Sequence, residues 1–239
     1  MEERNPYREL TAPPAAFAAA SERATFLKKV YGILLLGVLG FAATLWSAAH
    51  VPVAHDLAMS VGKLIHGNRW GWLIYMGLFL GGSYAVHAVA ETRPINAIAF
   101  GAWVVLLGFL TAPLVLWISA ARGPEIITQA SGLTALVFGG LTVYVLWSGK
   151  DFSFLRGALT MAFWGILAVS LIGMLTGFTP GLWMSFAIVL LFAGYILYDT
   201  SKILHQLPSN MAMSGAILLF TDVVLLFKHI LLLLARSRD

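Results

Sequence analysis

Cysteine is missing from the chain. Its absence excludes disulfides, thiolate-ligated zinc or iron–sulfur centres and thiol catalysis, and it leaves no redox signature of compartment. Charge is also scarce. Asp, Glu, Lys and Arg make up 11% of the 239 residues, against about 25% in an ordinary globular chain. The deficit lies in long uncharged runs, a distribution that a soluble core does not require. The sequence pI is near 9.5, but the basic residues flank apolar runs and form no separate domain with interleaved aromatics. A nucleic-acid partner is therefore not expected.

What fills the chain is hydrocarbon. Hydrophobic residues make up 59% of it, and the mean hydropathy is +0.85. Apolar spans are expected at about 28–49, 70–90, 95–119, 125–148, 153–176, 182–204 and 211–235, each close to the ~20 residues that cross a bilayer. The separators carry helix breakers: Gly67-Asn68, Arg93-Pro94, Arg122-Gly123-Pro124, Gly149-Lys150-Asp151, Thr179-Pro180-Gly181 and Leu207-Pro208-Ser209-Asn210. The expected fold is all-α, a polytopic membrane protein with seven transmembrane helices over residues 26–239. Residues 1–25 mix charges with Pro6, Pro13 and Pro14 and read as a flexible cytoplasmic tail. The pattern of a cleavable signal peptide is not found there.

Lys and Arg set the expected orientation. With the N-terminus inside, Arg4, Arg8, Arg23, Lys28, Lys29, Arg93, Lys150, Arg156 and Lys202 face the cytoplasm, while Lys63, Arg69, Arg122, Arg236 and Arg238 face out. The excess is inside, which puts the C-terminus outside. Trp46, Trp70, Trp72, Trp117, Trp147 and Trp183 fall near span ends, where an interfacial aromatic belt lies. Gly77 with Gly81, Gly173 with Gly177, and the doublets Gly81-Gly82 and Gly139-Gly140 suit close helix packing, within the bundle or between copies. His50, His55 and His66 share the first outer loop with Asp56. They lack the i, i+4 pair that aligns two ligands on a helix, so no metal site is assigned. His87 reads as an interior histidine, and His229 as sharing a face with Asp222.

Against this background two carboxylates stand out. Asp199 and Asp222 lie inside the two most apolar segments near the C-terminus. A carboxylate in hydrocarbon costs about 2.5 to 3.5 kcal/mol even on a lenient insertion scale, so two on neighbouring spans point to one shared polar site in a bundle interior. Straight antiparallel helices with the expected span ends leave the two about 10 Å apart along the axis. Their meeting requires a tilted helix or a shorter membrane-buried part of the last span.

Several segments together give a resemblance. Arg23 followed by Phe26-Leu27-Lys28-Lys29-Val30-Tyr31-Gly32, then Gly194-Tyr195-Ile196-Leu197-Tyr198-Asp199-Thr200, and Leu218-Leu219-Phe220-Thr221-Asp222-Val223-Val224-Leu225-Leu226-Phe227 resemble the transmembrane Bax inhibitor motif family, in the form of a bacterial member. The resemblance implies a last helix enclosed by the other six and an aspartate pair that senses protons and controls a calcium leak. It also implies a bacterial inner-membrane location, with calcium or another cation as transported ion, the lipid bilayer and membrane proteins as partners, no cofactor and no enzymatic activity. Phe220 stands where relatives commonly carry tyrosine. Arg93, beside Glu91, is close to the place of a basic residue that pairs with the aspartates, so Arg93 and Glu91 are the candidate gating counter-ions.

Three rivals use the same residues. A non-conducting regulator that binds membrane proteases or other membrane proteins fits the resemblance equally. An intramembrane aspartyl protease of the presenilin type shares Tyr198-Asp199, but Phe220-Thr221-Asp222 replaces its Gly-x-Gly-Asp, and its later Pro-Ala-Leu is missing. A retinal protein needs its lysine one turn after the aspartate, whereas Lys228 follows Asp222 by six positions. Lys228 is instead expected to snorkel to the outer interface.

Overall fold

The computed structural model describes residues 14–67, 70–178 and 181–237. Within them the chain forms a short 3-10 turn, Ala15–Phe17, and eight α-helices: α1 Ala20–His50, α2 Pro52–His66, α3 Gly71–Ala88, α4 Ile95–Arg122, α5 Glu125–Ser148, α6 Leu155–Thr176, α7 Gly181–His205 and α8 Ala212–Arg236. Most of the expected N-terminal tail lies outside the described residues. The part that is described is already structured, since Ala15 is buried and α1 begins six residues ahead of the expected boundary at 26.

Six helices, α1 and α4 to α8, are long and apolar enough to cross a membrane. Helices dominate because hydrocarbon offers no partner for backbone N–H and C=O groups, and a helix satisfies them within one segment. The chain is thus a polytopic helical membrane protein. Of the seven expected spans, the one at 70–90 is not among the six. Its helix α3 is only eighteen residues long, and Tyr75, Ser83, Tyr84 and His87 dilute its apolar character.

The stretch expected as the first outer loop is also different, because it folds as α2, with Pro52 at its first turn. Proline is tolerated there, where its missing N–H has no helical acceptor. Helices α4, α5 and α6 each end at a glycine with positive φ, Gly123, Gly149 and Gly177, a backbone state that side-chain-bearing residues resist.

The last helix is the centre of the bundle. Fourteen of its 25 residues are buried, against one in α6, and it packs on α1, α3, α4, α5 and α7. Helix α6 lies at the periphery against α7, and α2 packs on α1, α3 and α4. Among the described residues α8 is thus packed against at least five helices. Phe220 is fully buried and meets Phe41 and Phe100 edge-on, with centroids 6.3 and 5.4 Å away. A tyrosine there would bring a hydroxyl into the buried core, and a buried hydroxyl needs a hydrogen-bond partner.

Of the expected glycines, Gly82 makes a close approach, since a Cβ there would lie 2.6 Å from Trp103 Cζ3, whereas a Cβ at Gly77, Gly81, Gly139 or Gly140 would meet open space. Other close approaches are at glycines that the sequence did not single out. At Gly37 a Cβ would lie 2.6 Å from Phe100 Cζ, and at Gly108 2.5 Å from Thr44 Cγ2. The belt tryptophans Trp46, Trp70, Trp117, Trp147 and Trp183 are exposed, as anchors at an interface should be.

Candidate ion site between the last two helices

The α7–α8 hairpin brings Asp199 and Asp222 together. At its base Gly215 faces Ile203 and Leu207, whose side chains stand 3.3 and 3.4 Å from where a Cβ would be. That register leaves the two aspartates within about 5 Å along the helix axes. It removes most of the expected offset, because the tight turn at 206–211 starts α8 close to the end of α7. The carboxyls lie within hydrogen-bonding range of one another and are only 5% and 6% exposed. Two carboxyl oxygens can bond only through a proton held between them. Among the described residues no donor completes a hydrogen bond to Asp222 Oδ2.

The surroundings add polar groups that the sequence did not single out. Lys202, one turn beyond Asp199, is close enough for its charge to act on both carboxyls, and its ammonium lies 6.0 Å from the Tyr198 ring centroid. The i, i+3 spacing from Asp199 was a readable signal. Tyr195, one turn before Asp199, is also within electrostatic reach of both aspartates, and its hydroxyl donates to Leu159 O at 3.4 Å. On the α4 side, Trp103 is 2% exposed and its indole N–H donates to Thr221 Oγ1 at 3.1 Å, pinning the turn of α8 that carries Asp222. No local pattern ties Trp103 to Thr221 in sequence. The hydroxyls of Tyr31 on α1, Thr142 on α5 and Thr200 on α7 lie near one another, and among the described residues none completes a hydrogen bond.

The candidate counter-ions lie elsewhere. Glu91 and Arg93 are exposed in the turn between α3 and α4. The Glu91 carboxylate accepts from the Ser214 hydroxyl on α8. The Lys228 ammonium donates to the Tyr75 hydroxyl at 2.8 Å. His87 is exposed and bonded to Ser83 O at 2.8 Å, so it is not an interior group. His229 meets Leu225 O at 2.8 Å and stacks on Phe192. His50 and His55 each direct Nδ1 to a carbonyl of α1, Trp46 O and Ala48 O, whereas His66 closes the far end of α2.

Below the pair, the α5–α6 turn is clasped to α7. Ser201 Oγ donates to Asp151 Oδ1 at 3.2 Å and accepts from the Phe152 N–H at 2.8 Å. His205 places Nε2 3.1 Å from Gly149 O and Nδ1 3.0 Å from Ser201 O. The backbone N–H of Ser153 holds the Asp151 carboxyl below the usual carboxylate range, helped by the Ser153 and Ser201 hydroxyls and the His205 charge. Serine sits between aspartate and histidine here, so the order is that of a clasp and differs from a catalytic triad, where histidine is the link.

Comparison with known proteins gives the chain a family. The family model described as "Inhibitor of apoptosis-promoting Bax1" matches residues 23–239. The chain is 30% identical to the Golgi anti-apoptotic protein of Vaccinia virus (strain Lister) over 223 residues, 93% of this chain and 90% of that one. It is 30% identical to Bax inhibitor 1 of Schizosaccharomyces pombe over 230 residues, 95% of this chain and 82% of that one. A membrane protein of Vibrio cholerae is 36% identical over 131 residues, 54% of this chain and 58% of its own. With the match running from Arg23 through both aspartate segments, the chain belongs to the Bax inhibitor-1 family.

Proposed function

We propose that the chain is a pH-sensitive cation leak, with calcium as the preferred ion, in which Asp199 and Asp222 are both proton sensor and part of the ion path. The observation that carries this reading is the buried contact between the two carboxyls at the α7–α8 hairpin. Burial and mutual repulsion both disfavour the doubly ionised pair, so one shared proton holds α7 and α8 together. Its loss leaves two like charges that move apart or take up a cation, a two-state element biased by pH. Four buried oxygens with unused hydrogen-bonding capacity, on Tyr31, Thr142, Thr200 and Asp222, supply the oxygen donors that a hard cation takes. Lys202 is the cation in range of the pair. It takes the counter-ion role expected of Arg93, while Glu91 and Arg93 line the inner mouth.

In this reading α3 is the seventh span, residues 1–25 form the cytoplasmic tail, and the chain sits in a bacterial inner membrane with its C-terminus outside. No catalytic step and no cofactor are assigned. Flux of calcium, sodium and protons into liposomes holding the purified chain tests the proposal. Calcium entry above that of empty liposomes supports it. Absence of flux for every ion across the pH range would leave the non-conducting regulator of membrane proteases or other membrane proteins as the reading of this site.

A further inference from the structure

At the end of the bundle where α1, α4 and α8 begin, a cavity of about 1250 Å³ is lined by Lys29, Leu36, Glu91, Arg93 and Asn96 among others. Lys29, Gly32 and Leu36 recur at helical spacing and form one stripe of α1. The stripe opens sideways. Leu36 is 69% exposed, and a Cβ at Gly32 would meet nothing. In a membrane-crossing helix that side faces acyl chains.

Charge in the cavity is unbalanced. Lys29 and Arg93 are both exposed, and among the described residues neither is in an ion pair. The one carboxylate present, Glu91, is engaged by the Ser214 hydroxyl. The Asn96 amide is likewise engaged, donating to Ala90 O at 3.0 Å. Two cations thus stand at the headgroup level of a groove whose other wall is apolar and open to the bilayer.

We propose that this cavity is a binding site for an anionic phospholipid. Lys29 and Arg93 hold the headgroup phosphate, and one acyl chain runs along Gly32 and Leu36 on α1. Basic pockets between transmembrane helices favour anionic headgroups because each ammonium or guanidinium near the surface adds attraction. Choline lipids bring their own cation to the phosphate and gain less from the pair. The occupant would bridge α1, the α3–α4 turn and, through Glu91 and Ser214, the start of α8.

The test reads lipid retention and is independent of conduction, so its failure is separable from failure of the leak. The full chain is held in nanodiscs of equal phosphatidylglycerol and phosphatidylcholine, released, and its bound lipids counted by native mass spectrometry. The parent should retain one phosphatidylglycerol in preference to phosphatidylcholine by about tenfold. The double variant Lys29→Gln, Arg93→Gln should lose that preference, and the charge-preserving Lys29→Arg, Arg93→Lys should keep most of it. Equal retention of both lipids by the parent, or unchanged preference in the neutral variant, would overturn the proposal. Displacement by millimolar inorganic phosphate would also overturn it, since the site would then hold a free anion and no lipid.

Discussion

Lys228 and Tyr75 are paired twice over: the ammonium donates to the phenol oxygen at 2.8 Å and lies 4.0 Å from the ring centroid. The contact ties α8 to α3, and burial together with the Lys228 charge pushes the His66 imidazole below its usual range. Tyr75→Phe keeps the ring but removes the acceptor of a charged donor, a loss of about 1.5 to 3 kcal/mol. Thermal unfolding in detergent should show a lowered midpoint. In Lys228→Met, the His66 titration followed by NMR should move up part of the way to an ordinary histidine, because burial remains. A His66 titration unmoved by Lys228→Met would remove Lys228 as a cause.

Packing gives a contrasting pair of substitutions. Gly108→Ala drives a methyl into Thr44 at 2.5 Å and should destabilise by about 1 to 3 kcal/mol. Gly77→Ala points into open space and should leave stability unchanged or raise it by up to about 1 kcal/mol. Equal effects on the unfolding midpoint would contradict the packing of α1 on α4.

The clasp at residues 149–154 has an acid limit whose sign follows from Asp151. The depressed Asp151 carboxyl contributes above the unfolded carboxylate pKa of about 3.9, and that contribution is lost as pH falls through its folded value. Amide exchange at 149–154, corrected for intrinsic rates, should quicken as pH falls below about 4. Asp151→Asn should remove that acid dependence, and an unchanged acid profile in the variant would contradict the clasp.

Sequence made the membrane class, the family and the aspartate pair legible, because each rests on local signals: uncharged runs, breakers, and carboxylates in hydrocarbon. Helix α2 was hidden because His55, Asp56 and Lys63 break up its apolar pattern, so the segment reads as loop. The meeting of Asp199 with Asp222 needed the register that Gly215 sets against Ile203 and Leu207, which span counting cannot supply. Trp103 and Thr221 are 118 residues apart, and no periodicity joins them. Arg93 was singled out by its place at a helix end, yet it lies away from the carboxyls that Lys202 reaches from one turn along the same helix.

Topology is open to direct labelling, since the chain has no native cysteine. Ser60 is exposed on α2, and Ser153 lies in the α5–α6 turn. With the N-terminus inside, an impermeant thiol reagent should label Ser60→Cys in intact cells and reach Ser153→Cys only after permeabilisation. The reverse pattern would invert the orientation.

The central claim is that Asp199 and Asp222 act as one proton-sharing unit that gates the leak. The parent, Asp199→Asn and Asp222→Asn are reconstituted, each is checked for its folded state by thermal unfolding, and calcium entry is measured from about pH 5 to 8, where a buried carboxyl pair can exchange its shared proton. The account predicts that parent flux rises as the shared proton is lost, and that either variant changes the midpoint or the steepness of that rise. If both folded variants keep the parent's midpoint and steepness, the pair is not the sensor and the account is contradicted.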